Sequence, residues 1–350
     1  MKRGQKVSLS DHVIRRLLAH HYGLTVHSIH RVLDIPKVVT DRGTFGFKNA
    51  VELPDLSFIH HSIKQIKNHY PYIPGIVPLL SGDVLLSFED EIYYLEEWMD
   101  AEDVLFADDY LGEEIGAAIA RFHAAAKGLV PDKKSFRFEW GNRRKKLRKV
   151  YKKIQDWKKN HYDLPEFLYE RNILDFLEAL CSLAYQYIEN VSYSTLWEDN
   201  PDCAVLCHGS LHQRNILIDG KRNIYFIDIE SLSYAERVYD LASFIHYFAP
   251  YKGWNPLFIY RFIRGYQQNL TRPLSLDEWR CFFSYLAFPR RLYSWMHRHF
   301  DKSYEMEPEE TYFKLLGIII HDQPKDMFLK QFHPVTLPAT IELAKELSKG

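Results

Sequence analysis

The stretch of residues 207–248 constrains the fold most, because it combines a short hairpin with polar residues at fixed points. Two apolar runs, at residues 216–218 and 224–227, flank an Asp-Gly turn and predict an antiparallel pair of strands. Asn215 comes directly before the first run and Asp228 directly after the second. Since the two ends of a tight hairpin lie close together, we expect an amide oxygen and a carboxylate to be presented side by side.

This pair of oxygen donors indicates a divalent cation. Amide and carboxylate oxygens are hard ligands of the kind that hold Mg²⁺ on the phosphates of a nucleotide. Asn215 and Asp228 are therefore candidate metal ligands. The alternative is that both side chains serve only backbone hydrogen bonds, one at a turn and the other at the end of a strand.

The first hundred residues combine strand and helix patterns. Residues 38–40 and 44–48 flank an Asp-Arg-Gly turn and predict a hairpin, with two phenylalanines on one face and Lys48 on the other. Two further strands are predicted at residues 84–88 and 92–95. Between these strands, apolar residues recur at helical spacing at Leu56, Ile59, Ile63 and Ile66.

The remainder of the chain is mostly helical in pattern. From residue 109 onward the apolar residues follow helical spacing, beginning with the stripe Ile115, Ile119 and Phe122. No repeat and no Pro/Gly/Ser-rich linker separates the two halves. We therefore predict an α+β fold, with a small β-rich N-terminal lobe at residues 1–97 and a larger, mainly helical C-terminal lobe at residues 98–350.

Composition excludes several classes of protein. The chain has 350 residues, of which 46% are hydrophobic, and its formal net charge is −1, so it has neither the low hydrophobicity nor the high charge of a disordered protein. The longest aliphatic run, residues 315–320, is interrupted by Gly317 and is too short to span a membrane. No apolar segment follows the basic residues at the start, so no signal peptide is predicted and synthesis in the cytoplasm is expected.

Cysteine and histidine do not indicate a disulfide framework or a metal centre. Four cysteines are too few to staple a chain of 350 residues. Cys203 and Cys207 have neither CxxC nor metal-ligand spacing, so buried, reduced thiols are expected. The 17 histidines include adjacent pairs, but none has a cluster of ligands at metal-binding spacing in the sequence.

The charge is distributed unevenly along the chain. Residues 133–159 contain 13 basic residues and only two acidic ones. In the segment 143–159 the basic residues alternate with an apolar stripe of Leu147, Val150, Tyr151 and Ile154, which predicts an amphipathic helix. The simplest interpretation is a solvated basic face above a buried apolar one, and the main alternative is a docking surface for an anionic partner. Nucleic acid is not expected, because no recognition motif or stacking platform accompanies the charge.

The polar residues of the hairpin region match a known signature. The chain reads His208-Gly209-x-Leu211-His212-x-x-Asn215, followed by Ile227-Asp228 and Asp240-Leu241-Ala242. This pattern resembles the HGDxHxxN…D…DLA signature of the aminoglycoside phosphotransferase and choline kinase group, which has a bilobal protein-kinase-like fold. More narrowly, the chain resembles the CotS family of bacterial spore coat proteins. The resemblance covers essentially the whole chain and includes the blocks at residues 93–98, 119–128 and 286–289.

The resemblance implies roles for individual residues. It implies that the nucleotide is bound by a strand lysine and by hinge residues, at Lys48, Glu97, Trp98 and Met99. It also assigns the metal to Asn215 and Asp228. His208 and Asp240 are implied to be structural, because in the family the histidine braces the loop and the aspartate holds the backbone behind it.

Three departures from the family pattern indicate impaired catalysis. Ser210 occupies the position of the catalytic aspartate, and a serine hydroxyl cannot act as a carboxylate base. Residues 24–42 lack glycine, although the phosphate-binding turn is expected there. Residues 56–82 lack any acid, so the predicted helix cannot supply the glutamate that orients Lys48, and only an acid from elsewhere would replace it. We therefore expect Lys48 to be poorly oriented. His212 is the alternative base, but active members commonly have histidine there without that role.

The resemblance and these departures together predict a spore coat protein with a phosphotransferase-like fold. We expect it to be catalytically impaired at Ser210, a pseudokinase with a structural or recruiting role in coat assembly. The alternative is an ATP-dependent phosphotransferase that acts on a small hydroxyl-bearing metabolite or on a coat protein. Mg²⁺ and ATP are the implied cofactors, and weak or absent binding is expected. The expected partners are other spore coat proteins, and the expected destination of the protein is the spore coat.

Overall fold

A computed structural model gives the architecture of the chain. The structure describes residues 9–50, 55–104, 111–160, 173–302 and 308–331. The chain forms two compact units, the first comprising Met1–Asp103 with Leu217–Glu230, and the second comprising Val104–Ile216 with Ser231–Gly350. The predicted division at residues 97 and 98 stays a prediction, and the compact units have different bounds from it.

The first unit is built on an antiparallel sheet of six strands in the order β1-β2-β3-β6-β4, with β5 also paired to β6. A small three-stranded sheet has the order β10-β9-β7. The strands of these sheets are β1 (Val26–Val32), β2 (Ile35–Thr40), β3 (Gly43–Asn49), β4 (Ile76–Val77), β5 (Leu86–Phe88), β6 (Glu91–Glu97), β7 (Glu102–Asp103), β9 (Ile216–Ile218) and β10 (Ile224–Phe226). Both predicted hairpins are present, because short turns close β2 on β3 and β9 on β10.

Two helices complete the first unit, α1 (Asp11–Leu17) and α2 (Leu56–Lys67), and a π-helical turn at Leu18–Tyr22 follows α1. All four apolar residues of the predicted helical stripe on α2 are buried. Phe45 and Phe47 of β3 are buried as expected, and both pack with α1 in one hydrophobic cluster. The alternation along β3 therefore places Lys48 on the opposite face of the sheet from this cluster.

The second unit is mainly helical. Its two strands, β8 (Ala204–Cys207) and β11 (Ser233–Glu236), pair antiparallel. Its described helices are α3 (Leu111–Ala125), α4 (Arg143–Asn160), α5 (Ile173–Ile188), α6 (Tyr193–Asp199), α7 (Val238–Phe248), α8 (Pro256–Gln267), α9 (Leu276–Ala287), α10 (Arg290–Lys302) and α11 (Pro308–Gln331). The predicted α+β class, with a β-rich N-terminal region and a mainly helical remainder, is confirmed.

Close packing of helices organises the second unit. A Cβ atom built on Gly116 of α3 would lie 2.1 Å from the carbonyl oxygen of Phe262 on α8, so the two backbones approach more closely than any side chain allows. Phe244 stacks on Phe248 and on Phe262, with ring centroids 4.2 and 4.1 Å apart. Offset aromatic stacks of this kind add to the free energy of apolar burial.

The predicted basic amphipathic helix is α4. Its buried residues are Leu147, Ile154 and Trp157, whereas Tyr151 is 42% exposed and donates a hydrogen bond to Glu178. The first and last residues of the predicted apolar stripe, Leu147 and Ile154, are therefore buried, whereas Tyr151 is not.

All four cysteines are buried and unpaired, as the sequence predicts. Among the described residues, none of the helices has the length and apolar character needed to cross a membrane.

Candidate functional site

Lys48 of β3 lies in the first unit, nearly buried beside a carboxylate of the neighbouring strand. Its Nζ is 2.7 Å from Oε2 of Glu96 on β6, and the side chains are only 12% and 7% exposed. In the strand register Lys48 is opposite Tyr94, and Glu96 is opposite Gly46. The two side chains are thus diagonal neighbours on one face of the sheet. The expectation of a poorly oriented Lys48 is therefore wrong, since a strand supplies the acid that α2 lacks.

Two more carboxylates complete the surroundings of Lys48. Its Nζ is 3.6 Å from Oδ1 of Asp228 and 3.8 Å from Oε1 of Glu230. The hydroxyl of Tyr94 donates to Oε1 of Glu230 at 2.7 Å. Burial alone would lower the pKa of the Lys48 ammonium, but the charges of the three carboxylates outweigh burial and raise this pKa above its usual value. Lys48 therefore carries its positive charge at every physiological pH.

Asp228 has the geometry of a functional residue. Its φ is 64°, in the left-handed region that non-glycine residues seldom adopt. Such backbone outliers cluster at ligand-binding and catalytic sites. Asp228 follows the β9–β10 hairpin, and Asn215 directly precedes β9, as the sequence predicts. Their joint use as metal ligands stays a prediction.

The charges of this cluster fit a divalent cation. Three carboxylates, those of Glu96, Asp228 and Glu230, face one ammonium, so the acids outnumber the cation even though burial raises the pKa of Glu96 above its usual value. The side chains of Asp228 and Glu230 are 47% and 36% exposed, so their oxygens are accessible to an ion. Hard oxygen donors with excess negative charge are what Mg²⁺ requires. Asp228 and Glu230 would hold the ion in this unit.

A cavity of about 600 Å³ opens beside these groups. Its polar and turn-forming lining includes Arg31, Asp34, Pro36, Lys48, Asp228 and Glu230. The turn between β1 and β2 is a two-residue connection, because Val32 pairs directly with Ile35. Leu33 adopts a φ of 50° there without the help of glycine. The turn is therefore short, glycine-free and carries the carboxylate of Asp34, whereas a phosphate-binding turn presents several free backbone N–H groups.

The predicted hinge residues make contacts of their own. The N–H of Glu97 donates to the carbonyl of Gly75, and the N–H of Trp98 donates to the carbonyl of Thr44, each at 2.9 Å. The carboxylate of Glu97 pairs with Lys67. These N–H groups are therefore already engaged within the first unit. The assignment of Glu97, Trp98 and Met99 to nucleotide stays a prediction.

The loop that contains Ser210 lies in the second unit and is held by its own polar groups. The Ser210 N–H donates to Nδ1 of His208 at 3.4 Å, and the Ser210 carbonyl accepts from Nδ2 of Asn215 at 2.9 Å. Asn215 and His208 are both buried. The bond from Asn215 uses only its amide nitrogen, so the amide oxygen is not consumed by this contact.

Asp240, at the start of α7, holds the backbone of the same loop. Its carboxylate accepts the N–H groups of His208 and Gly209 at 2.7 and 2.9 Å, and Nε2 of His123 at 3.0 Å. Burial acts to raise the pKa of Asp240, but the hydrogen bonds and the histidine charges keep it below the usual value. Gly209 is required here, since a Cβ atom would lie 2.2 Å from the carbonyl oxygen of Ser231.

The fold also brings His123, Cys207 and Asp240 within 4.8 Å of one another, a grouping that the sequence spacing does not reveal. Both ring nitrogens of His123 are engaged, one by Asp240 and the other by the hydroxyl of Tyr266 at 2.9 Å. Burial raises the pKa of the Cys207 thiol well above its usual value, which disfavours the thiolate that a metal needs. This group is therefore a hydrogen-bonded support for the loop.

Glu96 and Glu230 are site residues that sequence reasoning missed. Glu230 follows Asp228 at a spacing of two, and that proximity to the predicted metal ligand is a signal in the sequence. Tyr94 and Glu96 alternate with buried apolar residues on β6, which places an acid on the same face as Lys48 once the strands are paired. The alternation on β6 points to Lys48 only when β3 is paired with β6, and the sequence does not predict that pairing.

Comparison with known families identifies the chain as a member of a phosphotransferase group. The model of the phosphotransferase enzyme family APH matches residues 38–279, which is more than half of the chain. The chain therefore belongs to this family. No curated protein matches the chain in sequence.

Solved structures share the fold at low sequence identity. An aminoglycoside phosphotransferase from Alicyclobacillus acidocaldarius is similar with a TM-score of 0.68 and 16% identity, over 91% of this chain and 93% of that one. Spectinomycin phosphotransferase in complex with ADP and spectinomycin has a TM-score of 0.62 and 14% identity, over 91% and 99% of the two chains. Amicoumacin kinase, solved with AMP-PNP and Ca²⁺, has a TM-score of 0.62 and 13% identity, over 93% and 96%. These similarities show the kinase-like fold.

The Lys48–Glu96 pair is testable by a double-mutant cycle with Lys48→Met and Glu96→Gln. Because both side chains are nearly buried, we expect a coupling of about 1–3 kcal/mol in the free energy of unfolding measured with urea. The matched control is the more exposed pair Lys67 and Glu97, for which Lys67→Met and Glu97→Gln should couple by about 0.2–1 kcal/mol. Equal coupling in the two cycles would show that Glu96 does not hold Lys48.

Proposed function

We propose that this protein binds a magnesium–nucleotide complex and is impaired in phosphoryl transfer. The observation that supports binding most directly is Lys48, buried against Glu96 and within 4 Å of Asp228. A lysine oriented by an acid and placed beside a metal-binding aspartate is the arrangement that phosphoryl-transfer enzymes use to hold nucleotide phosphates. Cofactor binding is thus better supported by the side chains than the sequence alone suggests.

The proposed metal would be held by Asp228 and Glu230, with Asn215 as a further ligand by family resemblance. When bound, the ion would neutralise negative charge on the phosphates. The residues themselves provide the complementary charge, because Lys48 offers an ammonium group and the carboxylates hold that ammonium in place. The ADP and AMP-PNP in two similar structures support a nucleotide ligand for this fold.

The proposed impairment comes from Ser210. In active members the corresponding aspartate accepts or orients the proton of the attacking hydroxyl, and loss of a general base lowers rates by about 10²–10⁴-fold. Within the described part of the second unit, no carboxylate contacts Ser210. Asp240 is the acid that hydrogen-bonds to the backbone of this loop. It is fully buried and accepts three hydrogen bonds, so it is not free to replace the base.

Nucleotide binding is tested by thermal shift with Mg·ATP. We expect the melting temperature to rise, since a ligand at a hundredfold excess over its Kd adds about 2.7 kcal/mol of stability. Asp228→Ala should abolish the shift, whereas Asp90→Ala, which removes an exposed turn carboxylate of the same unit, should preserve it. Absence of any shift at millimolar Mg·ATP in the unmodified protein would contradict nucleotide binding.

Impairment is tested by Ser210→Asp. This change should raise ATP turnover over the unmodified protein, because it restores the carboxylate of the family's catalytic position and Lys48 is already oriented by Glu96. Turnover should remain slow, since the β1–β2 turn still lacks glycine, and Asp34→Gly in the same background should increase it further. The rate of steady-state ATP hydrolysis measures the effect of each substitution, and Ser210→Ala is the control. A protein that already turns over rapidly with Ser210 would refute the impairment.

The alternative function is an active ATP-dependent phosphotransferase that acts on a small hydroxyl-bearing metabolite or on a protein. It is favoured by the same ion pair, because a fully degenerate site has no reason to keep Lys48 buried among three acids. Phosphoryl transfer has a loose transition state and depends mainly on positioning, so slow catalysis does not require the aspartate.

We further propose a place for the protein in the spore coat, with other coat proteins as partners. This proposal rests on the sequence resemblance to the CotS family. The surface that fits an anionic coat partner is α4, where Lys145, Lys149 and Lys152 line a shallow basic groove with Arg144 and Arg148. Among the described residues, none of these three lysines pairs with a carboxylate, whereas Lys146 pairs with Glu139 and Lys158 with Asp175.

The docking role of α4 is tested by charge reversal. Changing Lys145, Lys149 and Lys152 to glutamate should reduce deposition of a fluorescent fusion on the spore, because an anionic partner would be repelled. The control changes Lys37, Lys64 and Lys127 to glutamate and alters the total charge equally without touching α4. Equal deposition of the α4 variant and the unmodified protein would leave α4 as a solvated face.

A further inference from the structure

A second cavity, of about 440 Å³, lies wholly within the second unit and has a basic lining. It is formed by α10, by α11 and by the C-terminal end of α7. Arg290, Arg291 and Arg298 come from α10, and Lys314 comes from α11. The described lining contains no carboxylate. This volume suits a small molecule, for which pockets of roughly 300–1,000 Å³ are usual.

The positive charge of this cavity is not neutralised by its neighbours. Among the described residues, none of the four cations of the lining forms an ion pair with a carboxylate. Asp301, the acid within α10, is already bound by Lys153 at 2.5 Å and by Nε1 of Trp157 at 3.1 Å. Four cations that converge on one cavity without an acid produce a strong local positive potential.

Among the described lining residues, His246 is the one with an imidazole ring. It lines the cavity, and its Nε2 donates to the carbonyl of Tyr285 at 2.9 Å. Burial, together with the charges of Lys325, Arg290 and Arg143, lowers the pKa of His246 to about 3 although the hydrogen bond to Tyr285 acts in the opposite direction. The ring is therefore neutral at physiological pH. A second small cavity shares His246 and Arg290 and adds Arg143, so the basic character continues beneath the first.

The remaining lining is apolar and aromatic. Trp295 of α10 and Ile318 of α11 are buried at the cavity, and Phe313 is exposed beside it. The guanidinium of Arg290 lies 5.8 Å from the ring centroid of Tyr247, which fixes its plane over an aromatic surface. Guanidinium groups bind carboxylate and phosphate oxygens in a bidentate manner. The cavity therefore combines oxyanion donors with a surface for a ring or an alkyl chain.

The cavity also adjoins the loop that contains Ser210. The ring of Tyr247, which lines the cavity, makes an edge contact with the ring of His212, with centroids 5.4 Å apart. His212 lies two residues from Ser210 and is part of the same hydrogen-bonded loop. A ligand in the cavity is thus one side chain away from the loop.

We propose that this cavity binds a small organic anion in which a phosphate or carboxylate group is attached to an apolar or aromatic body. The arginines of α10 and Lys314 bind the oxyanion, and Trp295, Phe313 and Ile318 contact the body. This binding depends on residues of the second unit alone and requires no nucleotide. If the proposed function holds, the position of the cavity beside the loop makes such an anion the class of acceptor when its body also carries a hydroxyl group, whose oxygen would take the phosphoryl group from the nucleotide and lose its proton.

The proposal is tested by calorimetric titration with phenyl phosphate and phenylacetate at low ionic strength. Both probes carry an oxyanion on an aromatic body. The probe that binds with the higher affinity identifies whether the cavity prefers a phosphate or a carboxylate. Benzyl alcohol, which lacks the charge, and spermidine, which reverses it, should not bind. Affinity for inorganic phosphate should be lower than for phenyl phosphate, and equal affinity would contradict the apolar contacts. Raising the salt concentration should weaken binding.

Variants locate the site. Arg291→Gln, Arg298→Gln and Lys314→Gln change exposed side chains, and each should weaken binding of phenyl phosphate by roughly tenfold, the usual effect of losing one charge-assisted hydrogen bond. The matched controls Lys64→Gln, Lys127→Gln and Lys221→Gln each remove one positive charge from an exposed position outside this cavity and outside α4, and each should leave affinity unchanged. Equal loss in the controls, or no binding of either probe by the unmodified protein, would refute the proposal.

Failure of this proposal can be distinguished from failure of nucleotide binding. Asp228→Ala should remove the Mg·ATP shift and leave the affinity for phenyl phosphate unchanged, because Asp228 belongs to the first unit. Binding of phenyl phosphate by a protein that fails to bind Mg·ATP would support the anion site and refute the nucleotide site. Loss of phenyl phosphate binding in Asp228→Ala would place the probe at the nucleotide site and refute the separate cavity.

Discussion

The ion pair between Lys48 and Glu96 is the interaction on which the site of the first unit depends. Removing an ammonium group from water costs several kcal/mol, and a single acid seldom compensates for that cost. Here Glu96 provides the close contact, while Asp228 and Glu230 add charge at a longer range. The strand register fixes Glu96, and Glu96 in turn fixes the lysine. The side chain that would meet a nucleotide is therefore held in place before any ligand arrives.

The second unit keeps the support of its loop although the loop lacks the expected base. Asp240 accepts two backbone N–H groups and the ring of His123, and the left-handed Gly209 has no room for a side chain. A buried carboxylate with three donors is costly to lose, since each of the donors would be left unsatisfied. None of these three bonds uses the side chain of Ser210, so the network is intact with a serine at that position. The loop conformation and the chemistry at Ser210 are thus separate properties, and only the second departs from the family pattern.

Much of the fold was predictable because local signals determine it. The hairpin between β2 and β3 follows from its turn and its alternating phenylalanines, and α2 follows from four apolar residues at helical spacing. The class of the fold and the resemblance to the phosphotransferase group are also confirmed, whereas the narrower resemblance to the CotS family stays a prediction. Tyr151 was assigned wrongly to the buried stripe of α4, because a tyrosine has a polar end that here reaches Glu178.

The candidate site was predicted only in part, because its decisive contacts join distant segments. The absence of acids on α2 was read correctly, but Glu96 reaches Lys48 through the pairing of β3 with β6, which no local pattern reveals. The same holds for the basic cavity, since its four cations are spread over two helices and become one group only after α10 and α11 pack. Sequence reasoning found the residues that a motif places near one another in the chain. It missed those that the tertiary structure places together.

The two cavities carry opposite charge, and this difference constrains what the protein does. In the first unit, acids outnumber the lysine, so the site is complementary to a cation and to phosphates that arrive with one. In the second unit, only cations line the cavity, so the site is complementary to an anion on its own. Charge neutralisation and a general base each accelerate transfer of a phosphoryl group, and the proposed function assigns the first to the Lys48 cluster while a serine stands at the position of the second. Under the proposed function, the groups that bind ligands are kept where the group for proton transfer is not, and this combination favours capture of ligands over their rapid conversion.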